Sequence, residues 1–223
     1  MGQSADVAGL GDPGAVGVQP QTARGERTRA ALIRAARTVF ERDGYLDSRL
    51  VDIAAEAKCS IGSFYTWFDG KDEVLAAVLL AAQEDLLDPG TDKIASRDDP
   101  VAAIAASNRA YFQAYERNAR VIQIWSEVAA VDPRFRAMRQ ARSEAFLTRN
   151  AKAIRDLQER GLADRGVDAD AAALALSGMV SRLAQDAFTG ERRAPLEVLI
   201  ETATRLWTNA LGLTSPDLGA GPL

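Results

Sequence analysis

The segment SRLVDIAAEAKCSIGSFYTWFDGK, residues 48–71, decides the fold of this chain. Ser48 reads as the cap of a short helix running to Ala57, and a second short helix covers about 60–68. Only Ala57-Lys58-Cys59 separates the two, the length of the sharp turn in a helix-turn-helix. Phe64 and Phe68, at i and i+4, anchor the second helix on Ile53, Ala54 and Phe40. Ile61, Ser63, Thr66 and Trp67 then fall around the opposite surface, the face such a motif turns into the major groove of DNA. Ser60, Ile61, Ser63 and Thr66 have short side chains that permit close approach. Thr66 or Ile61 can touch a thymine methyl, and Gly62 leaves room for backbone against DNA.

Working outward, apolar residues recur at i, i+3, i+4 spacing and Pro is nearly absent from the long segments, so the chain is predicted to be all-α. A first helix over 24–42 stops at Gly44 and buries Leu32, Ile33, Ala36, Val39 and Phe40. A fourth runs over 71–87, and a turn-rich linker, DPGTDKIASRDDP, follows it. Five more are expected over 99–117, 118–130, 133–161, 168–189 and 195–212, with a boundary at Asn118 and Asp132-Pro133 as a cap-plus-first-position signal. The result is nine helices, three plus six. The expected domains are a flexible Gly- and Pro-rich arm (1–23), a helix-turn-helix domain (24–70), a ligand-binding and dimerisation domain (71–213) and a frayed tail (214–223).

Composition narrows the chemistry. The 223 residues include no histidine and one cysteine, which removes His-based triads, His metal sites and an internal disulfide. No Asp or Glu cluster suggests paired acid and base work, so an enzyme is disfavoured, and neither a metal nor a cofactor is expected. The net charge of −4 is ordinary, yet residues 24–71 carry nine Lys+Arg against seven Asp+Glu, the one modestly basic segment. No run approaches the ~18 apolar residues of a membrane span, and the start lacks the regions of a signal peptide. A cytoplasmic protein with no membrane partner is expected.

Phe40, Gly44-Tyr45, Asp52-Ile53-Ala54, Ser60-Ile61-Gly62-Ser63-Phe64-Tyr65-Thr66-Trp67-Phe68, Lys71-Asp72-Glu73 and Leu75 together resemble the common pattern of the TetR family of bacterial regulators. That resemblance implies that Tyr65, Trp67 and Lys71 contact backbone phosphates. A Lys at a helix start, where free N–H groups meet the positive dipole, suits an anion on physical grounds as well. Lys58 stands where many members have Gly in the turn, which strains a positive φ but lets Lys reach a phosphate. Arg49 replaces a small hydroxyl and becomes a DNA-contact candidate, while Trp67 replaces the commoner His or Tyr and would bond through its indole N–H. Arg24, Arg27 and Arg29 fit either phosphate steering or a solvated helix start, and Cys59 fits a buried structural thiol, with a redox sensor as the alternative.

The resemblance also implies a cavity for a small effector, with Leu79, Asn108, Tyr111, Phe112, Tyr115, Gln123, Trp125, Val128, Arg142 and Phe146 as candidate lining. The last two helices carry apolar stripes with small residues, marking Leu174, Ser177, Gly178, Leu183, Leu199, Ala203, Leu206, Trp207 and Ala210 as a homodimer interface built as a four-helix bundle. The function expected is a repressor released from a palindromic double-stranded operator by an apolar or amphipathic effector. A transcriptional activator of the same fold and a helical enzyme are the alternatives.

Overall fold

The computed structural model describes residues 16–87, 99–190 and 194–213, and all regular structure among them is helical. The helices are α1 (Ala23–Asp47), α2 (Leu50–Glu56), α3 (Ile61–Tyr65), α4 (Lys71–Leu87), α5 (Pro100–Val131), α6 (Pro133–Glu159), α7 (Ala169–Phe188) and α8 (Leu196–Ala210). The all-α class stands, with eight helices among the described residues instead of nine. The difference is Asn118, which sits fully buried inside α5 and ends nothing. Its amide donates to Asp85 at 2.8 Å and its carbonyl accepts from Arg37 at 2.7 Å. With both polar atoms satisfied by other helices, this Asn does not compete for its own backbone, which is how Asn usually breaks a helix.

Local chemistry sets the helix starts. Thr22 accepts from the Gly25 N–H at 3.1 Å ahead of α1, Asp132 from Arg134 at 2.8 Å with Pro133 at the first position of α6, and Asp168 from Ala171 at 2.8 Å ahead of α7. Each such cap is worth about 1 kcal/mol. Gly44 (φ 78°, ψ 170°) breaks α1 before its last turn.

The described residues gather into two compact units, 16–85 with 118–142, and 86–117 with 143–213; α5 and α6 contribute to both. The division expected at residue 70 therefore does not describe the packing, because α4 belongs with the helix-turn-helix. Seven successive α4 residues, Val74 to Leu80, are buried, and a helix apolar on every side has to be a core helix. Around it the first core gathers Leu32, Val39 and Phe40 of α1, Ile53, Phe64 and Phe68, and Val121, Ile124, Trp125, Phe135 and Met138. The Trp125 indole N–H donates to the Phe135 carbonyl at 3.1 Å, stapling α5 to α6 within this unit. The second core is separate, built from Ala151 and Ile154 of α6, Ala169, Ala173 and Leu176 of α7, and Leu211 and Leu213.

The expected flexible arm needs correction from Val16 onward: Val16 is only 1% exposed and belongs to the first core. Residues 1–15, most of the expected linker (88–98) and the expected tail (214–223) lie outside the described residues.

Candidate functional site

Ser48 does not cap α2. It is buried and donates to the Tyr45 carbonyl at 2.8 Å, while Arg49 takes the cap position without a capping bond. The exposed Arg49 guanidinium grips Asp52 at 2.9 and 3.0 Å, and that hydrogen bond holds the Asp52 carboxyl below the usual carboxylate range. In the turn, Cys59 N–H donates to the Ala54 carbonyl at 3.0 Å and Lys58 adopts φ 55°. That left-handed geometry costs a residue with a side chain about 1–2 kcal/mol. Lys58 is the one non-glycine residue with positive φ among the described residues.

Ser60 caps α3, its hydroxyl accepting from the Ser63 N–H at 3.1 Å. The helix proper is shorter than expected, with Thr66 at its C-cap and Phe68 beyond it. Phe64 and Phe68 point into the core with ring centroids 5.8 Å apart. Their burial leaves Ser60, Ile61, Gly62 and Thr66 exposed, Tyr65 55% exposed, and Ser63 and Trp67 half-buried. The outer face of α3 thus presents hydroxyls, a small gap and an aromatic rim, with the exposed Arg49 and Lys58 nearby in the chain.

Lys71 departs from expectation. Its ammonium donates to the carbonyls of Tyr45, Leu46 and Ser48 at 2.7, 3.0 and 2.9 Å and lies 4.7 Å from the Tyr45 ring centroid. An ammonium has three donors, and all three are spent on the chain turn between α1 and α2. Alongside it, the Tyr45 hydroxyl donates to Asp72, and Arg134 joins Asp72 at 2.6 Å to Asp132 at 2.7 Å. Burial alone would push the Asp72 carboxyl up, but the bonds from Tyr45 and Arg134 outweigh it and hold it below its ordinary value. Burial, reinforced by the Asp72 contact, raises the Tyr45 phenol. Lys71→Ala is therefore expected to lower stability by about 1.5–3 kcal/mol, the range for charge-assisted bonds. In denaturant unfolding the midpoint falls, while the salt slope of DNA binding is unchanged; normal stability with a slope smaller by about one would make Lys71 a phosphate ligand.

The second unit holds a half-open cavity of about 800 Å³. Of the ten residues expected to line it, Asn108, Tyr111 and Phe146 do. Leu79, Trp125 and Val128 belong to the first core, Gln123 is exposed, and Arg142 donates to the Gln83 carbonyl. Phe112 is fully buried against Tyr111, and Tyr115 packs between Tyr111 and Phe188 without reaching the lining. The lining that residue patterns missed includes Ile104 on α5, Ile154 on α6, Val180 on α7 and Trp207 on α8, the polar Asn150 and Ser177, and the charged Arg149, Asp156, Glu159 and Arg160 of α6 and its end. Asn108 donates to Thr204 at 3.1 Å and Asn150 to Ser177 at 2.9 Å. The Trp207 indole nitrogen is buried without a partner. Burial outweighs the Ser181 hydrogen bond and raises the Tyr111 phenol, which stays neutral.

The dimer candidates also divide. Ser177, Leu199 and Ala203 are buried within their own chain, Leu183 is half-buried, and Trp207 lines the cavity. Leu174 (60% exposed), Gly178, Leu206 (43%) and Ala210 face outward, joined by Val198 (51%), which the sequence stripes had not marked.

A helix-turn-helix with an exposed second helix, on an all-helical chain whose other unit holds a largely apolar cavity, defines a one-component DNA-binding regulator. Residues 32–78 match the model of bacterial regulatory proteins of the tetR family, and residues 104–211 match that of the C-terminal domain of the transcriptional regulator EthR. The chain is 24% identical over 211 residues to the HTH-type transcriptional regulator EthR of Mycolicibacterium smegmatis, spanning 89% of this chain and 96% of that protein. Among solved structures, a TetR-family regulator from Mesorhizobium loti superposes with a TM-score of 0.73 at 24% identity, covering 86% of this chain and 98% of the other. SmeT, the repressor of the Stenotrophomonas maltophilia multidrug efflux pump SmeDEF, matches in its triclosan complex at 26% identity with a TM-score of 0.68, over 88% of this chain and 98% of that one. The chain belongs to the TetR family: it is a DNA-binding transcriptional regulator and not an enzyme.

Proposed function

We propose that the protein is a repressor that grips a palindromic operator as a homodimer and releases it when a small apolar or amphipathic effector fills the second unit's cavity. The observation that carries the reading is that cavity: mostly apolar walls, amides at Asn108 and Asn150, a buried indole N–H at Trp207 left without an acceptor, and the charged residues Arg149, Asp156, Glu159 and Arg160 along part of its lining. A buried donor without a partner costs about 1–3 kcal/mol, and a carbonyl or ether oxygen on a ligand recovers it. That SmeT is a repressor solved with triclosan supports the same assignment.

In this reading residues 24–70, packed with α4 in the first unit, form the DNA head, and the second unit, 86–117 with 143–213, holds the effector and the partner subunit. Ser60, Ile61, Gly62, Ser63 and Thr66 meet base edges, and Arg49, Lys58, Tyr65 and Trp67 meet phosphates. The outward residues of α7 and α8 meet a second copy, so the operator has half-sites about 34–36 Å apart or a little more. α5 and α6 carry cavity residues along one stretch and first-core residues along another, so a ligand that shifts either helix acts on the head. A coupling of about 1–3 kcal/mol changes operator affinity roughly 5- to 150-fold. No described helix is long and apolar enough to cross a membrane; as a DNA-binding regulator the protein is assigned to the cytoplasm.

Selection of genomic fragments by the purified protein at a stated salt concentration, followed by sequencing, tests the reading. An inverted repeat is expected; unselected fragments would remove sequence-specific repression. For compounds then found by thermal shift, Trp207→Phe is expected to weaken acceptor-bearing ligands about tenfold by calorimetry, the worth of one hydrogen bond. Unaltered affinity would place the ligand elsewhere.

A further inference from the structure

Residues 16–22, ahead of α1, are folded onto the far end of the DNA-reading motif. Val16 is buried in the cluster that holds Phe68. The Val18 N–H donates to the Trp67 carbonyl at 3.1 Å. Arg29, from the second turn of α1, donates to the Val16 carbonyl at 2.5 Å and lays its guanidinium 5.3 Å from the Phe68 ring centroid. This Arg is half-buried and part of its guanidinium is committed to the segment. Its Nε is buried without a partner, and burial lowers its pKa in spite of nearby Glu73. Desolvating a cation is costly, so a chain that needed only a solvated helix start would leave Arg29 outside.

Two glycines record how closely the chain packs on Trp67, Gly17 from the segment and Gly25 from the first turn of α1. Gly17 has φ +76°, and a Cβ there would stand 2.5 Å from the Trp67 carbonyl oxygen. Gly25 is buried, and a Cβ there would stand 2.8 Å from Cη2 of the Trp67 ring. Trp67 is thus held at its backbone by residues 17 and 18 and at its ring by Gly25. A segment that merely trailed from the domain would not place left-handed backbone so close to the Trp67 carbonyl that no side chain fits there.

We infer that residues 16–22 are a strap that positions Trp67 against the DNA backbone, which makes Val16, Gly17 and Arg29 positioning residues for DNA binding. The inference rests on the reading of α3 and its C-terminal end as the DNA-contacting element. Val16→Asp places a carboxylate in the first core and releases the strap. Gly17→Ala strains the same contact while leaving the Val16 side chain in place.

A double-mutant cycle on the full chain, with a labelled random-sequence DNA duplex at low salt as probe, tests it; Trp67 is assigned to phosphate, so no operator is needed. Val16→Asp, Gly17→Ala and Trp67→Phe are each expected to lower affinity about tenfold. Either strap variant combined with Trp67→Phe is expected to lose no more than Trp67→Phe alone, and Val16→Ile retains full affinity. Unchanged binding in both strap variants, or losses that multiply with Trp67→Phe, would overturn the strap. If Trp67→Phe and Tyr65→Phe bind normally, the assignment of α3 fails as well; if Tyr65→Phe weakens binding while the strap variants do not, only the strap fails.

Discussion

Leu206→Glu is expected to give monomers in sedimentation and to lower operator affinity by roughly 100-fold or more. Leu206 and Val198 on α8 and Leu174 on α7 are large apolar side chains that the chain itself leaves uncovered. If a second copy covers them, the variant buries an unpaired carboxylate at the join, which costs far more than the lost leucine contact. A monomer brings one head to the operator, and losing the second, tethered binding event removes a factor of about 10²–10⁴. Trp207, the adjacent large residue in the stripe, is the wrong probe because its ring faces the cavity. Exposure by itself does not decide the outcome: Val131 is 80% exposed on the first unit, and Val131→Glu should leave the dimer intact. A Leu206→Glu protein that still sediments as a dimer would move the interface off α7 and α8.

Phe64→Ala should cost about 3–5 kcal/mol of stability and abolish DNA binding. Phe64 is fully buried, with ring centroids 5.6 Å from Tyr65 and 5.8 Å from Phe68. α3 is five residues long, too short to hold helical structure without packing. Its Ser60 cap supplies about 1 kcal/mol, so Phe64 and Phe68 supply most of what keeps the reading face in shape. Ile61→Ala, one turn before and exposed, is the contrast: stability should stay within about 0.5 kcal/mol while sequence preference relaxes. Urea unfolding alongside DNA titration separates the two. A Phe64→Ala loss under about 1 kcal/mol would mean that something other than this ring holds α3 on the core.

The helix-turn-helix was legible because its information is local. Spacing, a serine cap and two phenylalanines four residues apart specify a short helix and its buried side without reference to the rest of the chain. The cavity was not legible for the opposite reason. α5 is a single 32-residue helix whose residues are divided between two cores, so Tyr111 and Trp125, similar on an apolar stripe, end in different units. Lys71 shows the same limit at the scale of one side chain. A lysine at a helix start suits a phosphate on general grounds, and the bend of the chain at 45–48 brings three carbonyls to it first.

By itself the sequence determined the helical class, the motif that faces DNA and the family, since these follow from periodicity, capping and a run of residues close together in the chain. Only the tertiary structure decided that Asn118 stays within a helix, that residues 16–22 fold onto Trp67, and which of Leu206 and Trp207 points outward. Each of those outcomes depends on a partner tens of residues away, as with Asn118 and Arg37 or Val18 and Trp67. An apolar or polar side chain carries its own preference for burial or bonding, but which neighbour satisfies that preference is set only when distant segments pack.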